Sequence, residues 1–350
     1  MGKMRCAIMA GVIFFCGAAA VFAGTAQGPA DAKAIYLMTD HALSKKRMDA
    51  VRELLDTTEL NAVVIDVKVD LPVLDNPKTR AKLEAVVYEL NARGVWTIAR
   101  IVVMQDSWLA REHPELAIKT NGGELWHSGR ASWRRYWVDP ASSAVIEYNI
   151  AIAKQAIDIG FREIQCDYIR FPSDGDMKDM VYPVWRGEKK YEVMRKFFAT
   201  IDRELKSYQP GIVLGVDIFG EAHFNGGEPG VGQRMQDLEE FFDVIAPMNY
   251  PSHFKCGELG LKDPTAQPYE LMKRALKYGH KYETRLGLII RPWVQVFSIR
   301  SIYGCGGRVE YGASEIAAQI RAAREEKAGG YMLWNGGSRY PKETLKQILK

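Results

Sequence analysis

The sequence predicts a closed (β/α)8 barrel of the TIM-barrel class, built as a single domain over residues 33–350. Three observations carry this. Eight β-branched, apolar runs alternate with amphipathic runs from Lys33 onward. Each apolar run ends in polar or aromatic residues. The first run leads into "TDHALSK", without the glycine-rich phosphate turn common in the rival architecture, a doubly wound open sheet.

The elements follow in order. "AIYLM" (34–38) reads as the first strand, with Ser44 placed to start a helix through "KKRMDAVRELL". "NAVVIDVKV" (61–69) is the second, and its helix, "RAKLEAVVYELNAR", stops at Gly94. "VWTIARIVV" (95–103) is the third. The stretch 106–142, rich in Trp and Gly, is too long for a plain connection and is expected to wall one mouth of the barrel. A helix over 143–158 leads to "EIQCDYIRF" (163–171), the fourth strand, and "YEVMRKFFATIDRELKSY" is the helix after it. "IVLGVDIF" (212–219) and "VIAPMNY" (244–250) are the fifth and sixth strands, and "YELMKRALKYGHKY" follows as a helix. "RLGLIIRPW" (285–293) is the seventh, "SEIAAQIRAAREEKA" the last full helix, and "GYMLWN" (330–335) the eighth strand.

Composition bounds the partners. An apolar content of 47% and a charged content of 26% suit a chain with a sizeable core. A net charge of +4 with no basic stripe excludes nucleic acid as the expected partner. Lys3 and Arg5 precede an apolar run from Cys6 to Ala23, and Val21-Phe22-Ala23 resembles a signal-peptidase site. Residues 1–23 are thus expected to be a signal peptide and 24–32 a short linker. The chain would be exported to the periplasm or the extracellular space, with no membrane anchor after cleavage. Cys166, Cys256 and Cys305 remain. The last two follow strands six and seven onto neighbouring loops, and an exported protein can hold a disulfide between them.

In this fold chemistry gathers at the C-terminal strand ends. Those ends carry Asp66 and Lys68 on strand two, Arg100 on strand three, and Asp167 and Arg170 on strand four. Asp217 and Glu221 follow on strand five, and Asn249, Tyr250 and His253 on strand six. Arg291, Trp293 and Gln295 close strand seven; Trp334 and Asn335 close strand eight. On strand four, Ile164, Cys166 and Tyr168 share the face toward the helices, whereas Gln165 and Asp167 share the face toward the barrel interior. Gly215 and Asp217 share a parity on strand five. Asp167 with either Asp217 or Glu221 would form the carboxyl pair of acid/base hydrolysis, with Arg170 or Arg291 bracing Asp167. A pair on adjacent strands suits the roughly 5.5 Å spacing of a retaining glycosidase, and Glu221 suits either a retaining or an inverting spacing. Trp108, Trp126, Trp133 and Trp137 crowd the long loop, as expected of stacking surfaces for sugar rings, with Arg, Asn and Asp binding hydroxyls. No Gly-x-Ser-x-Gly elbow and no thiol–histidine spacing occurs. Asp40-His41 lacks the partner motifs of a metal site, and no cofactor is expected.

Five stretches in order, "NAVVIDVKVD", "GFREIQCDYIRFPSDG", "APMNYPSHF", "IRPWVQVF" and "GYMLWNGGSRY", resemble the DUF4015 family of glycoside-hydrolase-type barrels. The resemblance spans about residues 33–345. It implies an (α/β)8 barrel with Asp167 as the leading catalytic residue, and the matching "GVDIFG" favours Asp217 over Glu221 as a site residue. The chain departs from the family at Val69-Asp70-Leu71-Pro72 and at Val296, both near the expected cleft. The expected activity is polysaccharide or oligosaccharide hydrolysis; the alternative is an inactive barrel that binds glycan.

Overall fold

Residues 30–129, 133–227 and 229–350 are described by the computed structural model. The expected signal peptide, and all but the last three residues of the linker, lie outside them. Period-two alternation builds a barrel of eight parallel strands. These are β1 (Ala32–Leu37), β2 (Ala62–Lys68), β3 (Trp96–Val102), β4 (Glu163–Asp167), β5 (Val213–Phe219), β6 (Val244–Met248), β7 (in two segments, Ile289–Ile290 and Trp293–Gln295) and β8 (Gly330–Trp334). Neighbours in sequence are neighbours in the sheet, and β8 returns to pair with β1. β7 is split because Pro292 has no N–H to donate to a ladder. Its first segment pairs with β6 and its second with β8. The Arg291 N–H donates to the Ile245 carbonyl, and the Pro292 carbonyl accepts from Met332. The barrel therefore closes through one strand shared between two sides.

Eight helices cover the outside: α1 (Lys45–Thr57), α2 (Pro77–Ala92), α3 (Ser143–Asp158), α4 (Lys190–Tyr208), α5 (Met235–Phe241), α6 (Pro268–Gly279), α7 (Ala313–Glu325) and α8 (Lys342–Ile348). α2 shows why one begins where it does. The Asn76 side chain accepts from the Lys78 and Thr79 N–H groups, and Pro77 occupies the first turn, where a missing donor costs nothing. Outward strand residues such as Ile35, Ile65 and Ile164 pack with Leu83, Phe197 and Ile201 of the helices in the main core. Inward residues, among them Ala34, Val64, Ile98, Val244 and Met332, fill the barrel itself. Gly215 is required there, since a Cβ would stand 1.9 Å from Gln165 Oε1.

The elements differ from expectation chiefly as follows. β4 stops at Asp167 because Tyr168 takes a left-handed conformation (φ 49°). β7 begins at Ile289 and not at 285. α5 and α8, of seven residues each, are additional. Finally, the 106–142 stretch carries a helix over Ser107–Glu112 and a small hairpin pairing His127–Ser128 with Arg135–Tyr136. Trp126 and Trp137 are core residues of that stretch, their ring N–H groups bonded to the Asp176 carbonyl and Ser128 Oγ. Trp133 alone of its four tryptophans is well exposed (65%).

Candidate active site

A cleft of about 860 Å³ opens at the C-terminal mouth, lined by Arg100, Asp167, Arg170, Glu221, Tyr250, His253, Trp293, Trp334 and Asn335 among the expected residues. Its floor is organised by Arg100, which β3 presents into the barrel beside β2 and β4. Arg100 Nη1 donates to Asp66 Oδ1 (2.6 Å), while Nη2 and Nε donate to Asp167 Oδ2 (2.5 and 3.1 Å). The guanidinium also lies against the rings of Trp334 and Tyr36, at 5.0 and 5.6 Å. Tyr36 donates its hydroxyl to Asp66 Oδ2. Asp167 Oδ1 accepts from the Tyr168 N–H at 2.6 Å, a bond that the left-handed turn makes available.

Asp217, inward-facing on the adjacent strand β5, is 1% exposed. Its Oδ1 accepts from Gln165 Nε2 (2.7 Å) and from the indole N–H of Trp293 (2.5 Å), which roofs it. Its Oδ2 has no hydrogen-bond partner and stands 3.9 Å from Arg100 Nε. Three carboxyl groups thus share one guanidinium. Burial, with the Asp167 charge added, pushes the Asp217 carboxyl well above the usual range, which favours its neutral form. Burial also raises Asp66.

Glu221 lies at the start of the short helix Gly220–Asn225 that follows β5, half-buried in the cleft wall. Burial and the neighbouring Glu258 push its carboxyl up, against the opposing pull of Lys255. His253 stands exposed on the cleft lip. Its Nδ1 is 2.9 Å from Ser252 Oγ.

The remaining expected residues serve the frame. Lys68 leaves the barrel interior at a register shift after Asp66 and is wholly buried, 2.7 Å from Asp106 Oδ2 and 3.0 Å from Asn149 Oδ1. Arg291, expected beside Asp167, binds both oxygens of Glu163 (2.8 and 3.0 Å) near the start of β4 and has no exposure. Neither reaches the cleft, and it is Arg100 that braces Asp167. Asn249 is also enclosed, with Nδ2 3.7 Å from Met272 Sδ. Gln295 Oε1 accepts from the Ser252 N–H and hydroxyl, fixing the turn before His253. Asn335 holds the turn after β8, accepting from the Gly337 N–H and donating to the Val296 carbonyl.

The lip of the cleft brings in residues that strand ends do not mark: Phe254, Lys255, Phe297 and Tyr303. Their signal lies in the loops after β6 and β7, which the Cys256–Cys305 disulfide joins (Cα–Cα 5.4 Å). Cys166 is a free, buried thiol pushed up to about 12 by burial. Among the described residues, no three His, Cys, Asp or Glu side chains group so as to hold a metal ion.

A barrel whose mouth sets carboxyl groups in contrasting surroundings beneath aromatic walls is of the glycosidase type. The chain belongs to the DUF4015 family, described as "Putative glycosyl hydrolase domain", whose profile matches residues 34–340. No curated protein matches the sequence. In solved structures the chain is similar to a family GH18 chitinase from Cycas revoluta, at 10% identity over 91% of this chain and 98% of that one (TM-score 0.54). It is also similar to an α-galactosidase from Thermus thermophilus, at 14% identity over 92% of this chain and 62% of that one (TM-score 0.53). Both likenesses show the fold. A hypothetical protein from Ruminiclostridium thermocellum is 30% identical, covering 52% of this chain and 96% of its own, with a TM-score of 0.44.

Proposed function

We propose that the protein is an exported glycoside hydrolase that cleaves a polysaccharide or oligosaccharide in this cleft, with Asp167 as nucleophile or base and Glu221 as acid. The observation that carries the reading is the contrast between these two cleft-lining carboxyls. Asp167 is held by the Arg100 guanidinium and a backbone N–H. Glu221 has no ion pair with an arginine among the described residues, and burial and Glu258 push its carboxyl up, the direction a general acid needs. Asp217, under Trp293 and Gln165, is outside the cleft lining; it supplies a neutral neighbour to Asp167 rather than a proton to the leaving group. Trp334, half-buried in the cleft wall, offers an apolar face for a pyranose ring. Export is supported by the basic and apolar leader in the sequence and by the Cys256–Cys305 bond, a feature of oxidising compartments.

Reducing-sugar release from a polysaccharide panel tests this. Asp167→Asn should lower turnover by about 1,000-fold or more while leaving the thermal transition in place, a loss of about 4 kcal/mol of transition-state stabilisation. Unchanged hydrolysis by that variant, or binding without product by the wild type, would refute the assignment.

A further inference from the structure

Among the described residues four cationic side chains are buried: Lys68, Arg100, Arg170 and Arg291. Three are neutralised. Lys68 pairs with Asp106, Arg100 with Asp66 and Asp167, and Arg291 with Glu163. Arg170, 6% exposed, has no carboxylate ion-paired with it among the described residues. Its polar contacts are both made by Nη1, which donates to the Phe171 carbonyl (2.9 Å) and to Ser173 Oγ (3.3 Å). The guanidinium is otherwise enclosed by aromatic rings, with Phe219 at 4.4 Å, Trp137 at 5.0 Å and Tyr168 at 5.1 Å.

A buried cation without a counter-charge is costly, and facing rings recover only part of that cost. The turn at Tyr168 adds to it, since a bulky residue at φ 49° is strained by about 1–2 kcal/mol. That turn redirects the chain after Asp167 so that Arg170 also lines the cleft. The Nε–Nη2 edge of the guanidinium is left unused, and two parallel N–H groups on such an edge match the two oxygens of a carboxylate.

The other charges around the cleft agree. Asp167 is occupied by Arg100, and Glu221 is pushed toward its neutral form. Lys255 is an exposed second cation, its ammonium 5.9 Å from the Tyr303 ring centroid and in no ion pair among the described residues. Opposing them is Asp174, exposed on the rim and not bonded to Arg170.

We propose that Arg170 anchors the carboxylate of a uronic acid unit, so that the glycan taken by this cleft is an acidic one. The inference rests on the cleft being a sugar site, as proposed above, and adds the substrate class.

Calorimetry with oligouronides and their carboxyl-reduced counterparts, on the wild-type chain and on Asp167→Asn to prevent turnover, tests it. The acid should bind roughly 10- to 100-fold more tightly than the reduced form, the range for a hydrogen-bonded charge. Arg170→Gln should erase that difference and leave affinity for the reduced form unchanged. Should Arg170→Gln fail to fold, the comparison of the two ligands on the wild type still decides. Equal affinity for acid and reduced forms, no binding of any uronide, or preference for a sulfated galactan free of uronate would each overturn the proposal. Uronides bound but not cleaved by the wild type would support it while removing the hydrolase reading. Cleavage confined to neutral glycans would do the reverse.

Discussion

Asp217→Asn isolates the buried proton beneath the cleft. In the folded chain the carboxyl is pushed well above its ordinary value, by burial first and the Asp167 charge second. In the unfolded chain it titrates near pH 3.9, roughly as any aspartate does. Between these two values the native state holds a proton that the unfolded state has released, so wild-type stability falls as pH rises. The slope is about 1.4 kcal/mol per pH unit for one proton. Asparagine does not titrate. Its Oδ1 can still accept from Gln165 and Trp293, while its amide replaces an oxygen that has no hydrogen-bond partner. The variant and the wild type should therefore be of similar stability near pH 4, with the variant gaining about 1.4 kcal/mol per pH unit above it until the folded wild type itself ionises. For a chain of this size that corresponds to about 2 °C in Tm per unit. Thermal melts at pH 4, 5, 6 and 7 measure the difference. A gap that stays constant across that range would mean that Asp217 ionises normally in the fold, and the neutral floor under Asp167 would be refuted.

Other outcomes follow from the same geometry. Glu221→Gln should slow cleavage of natural glycosides about 100- to 1,000-fold yet largely spare aryl glycosides, whose leaving groups need no proton. It should also remove the alkaline limb of the pH–rate profile, since the wild type loses its acid as pH rises through the raised Glu221 value; equal losses on both substrate types would exclude Glu221 as the acid. Replacing Cys256 and Cys305 together with Ser should cost up to about 4 kcal/mol, from a cross-link spanning 49 residues, and should weaken glycan binding because Lys255 and Tyr303 flank the bond. Denaturant unfolding and calorimetry read the two effects. Trp133→Ala should change stability by less than about 1 kcal/mol, as an exposed position does, yet raise KM several-fold for long oligosaccharides and leave it unchanged for short ones.

What the sequence made legible was local. Period-two parity in β4 separates Ile164 and Cys166 from Gln165 and Asp167 without knowledge of any other strand, and the structure keeps that division. The eight alternations and the placing of most cleft residues at strand ends depend on short-range pattern as well. Pairing across the barrel does not. Asp167 meets Arg100, 67 residues away, through the registration of β3 with β4, and nothing near either residue announces it. Lys68 shares a parity with Asp66 in the sequence, but one register shift sends it outward to Asp106 and Asn149. Arg291 precedes the proline that splits β7 and belongs to the deep layer with Glu163, although the motif around it reads as a rim. α5 and α8 span about two turns each, too little for a helical period to stand out.

The divided seventh strand has a consequence beyond topology. Pro292 ends the pairing with β6, and the next residue, Trp293, turns its indole onto Asp217, while Gln295 two residues on fixes Ser252. The closure of the barrel and the burial of its acidic floor therefore meet in a single five-residue latch. Loosening that latch would admit water to Asp217, return its carboxyl toward ordinary acidity and place a second negative charge behind Asp167. The seam of this barrel is thus also the seal on its proton.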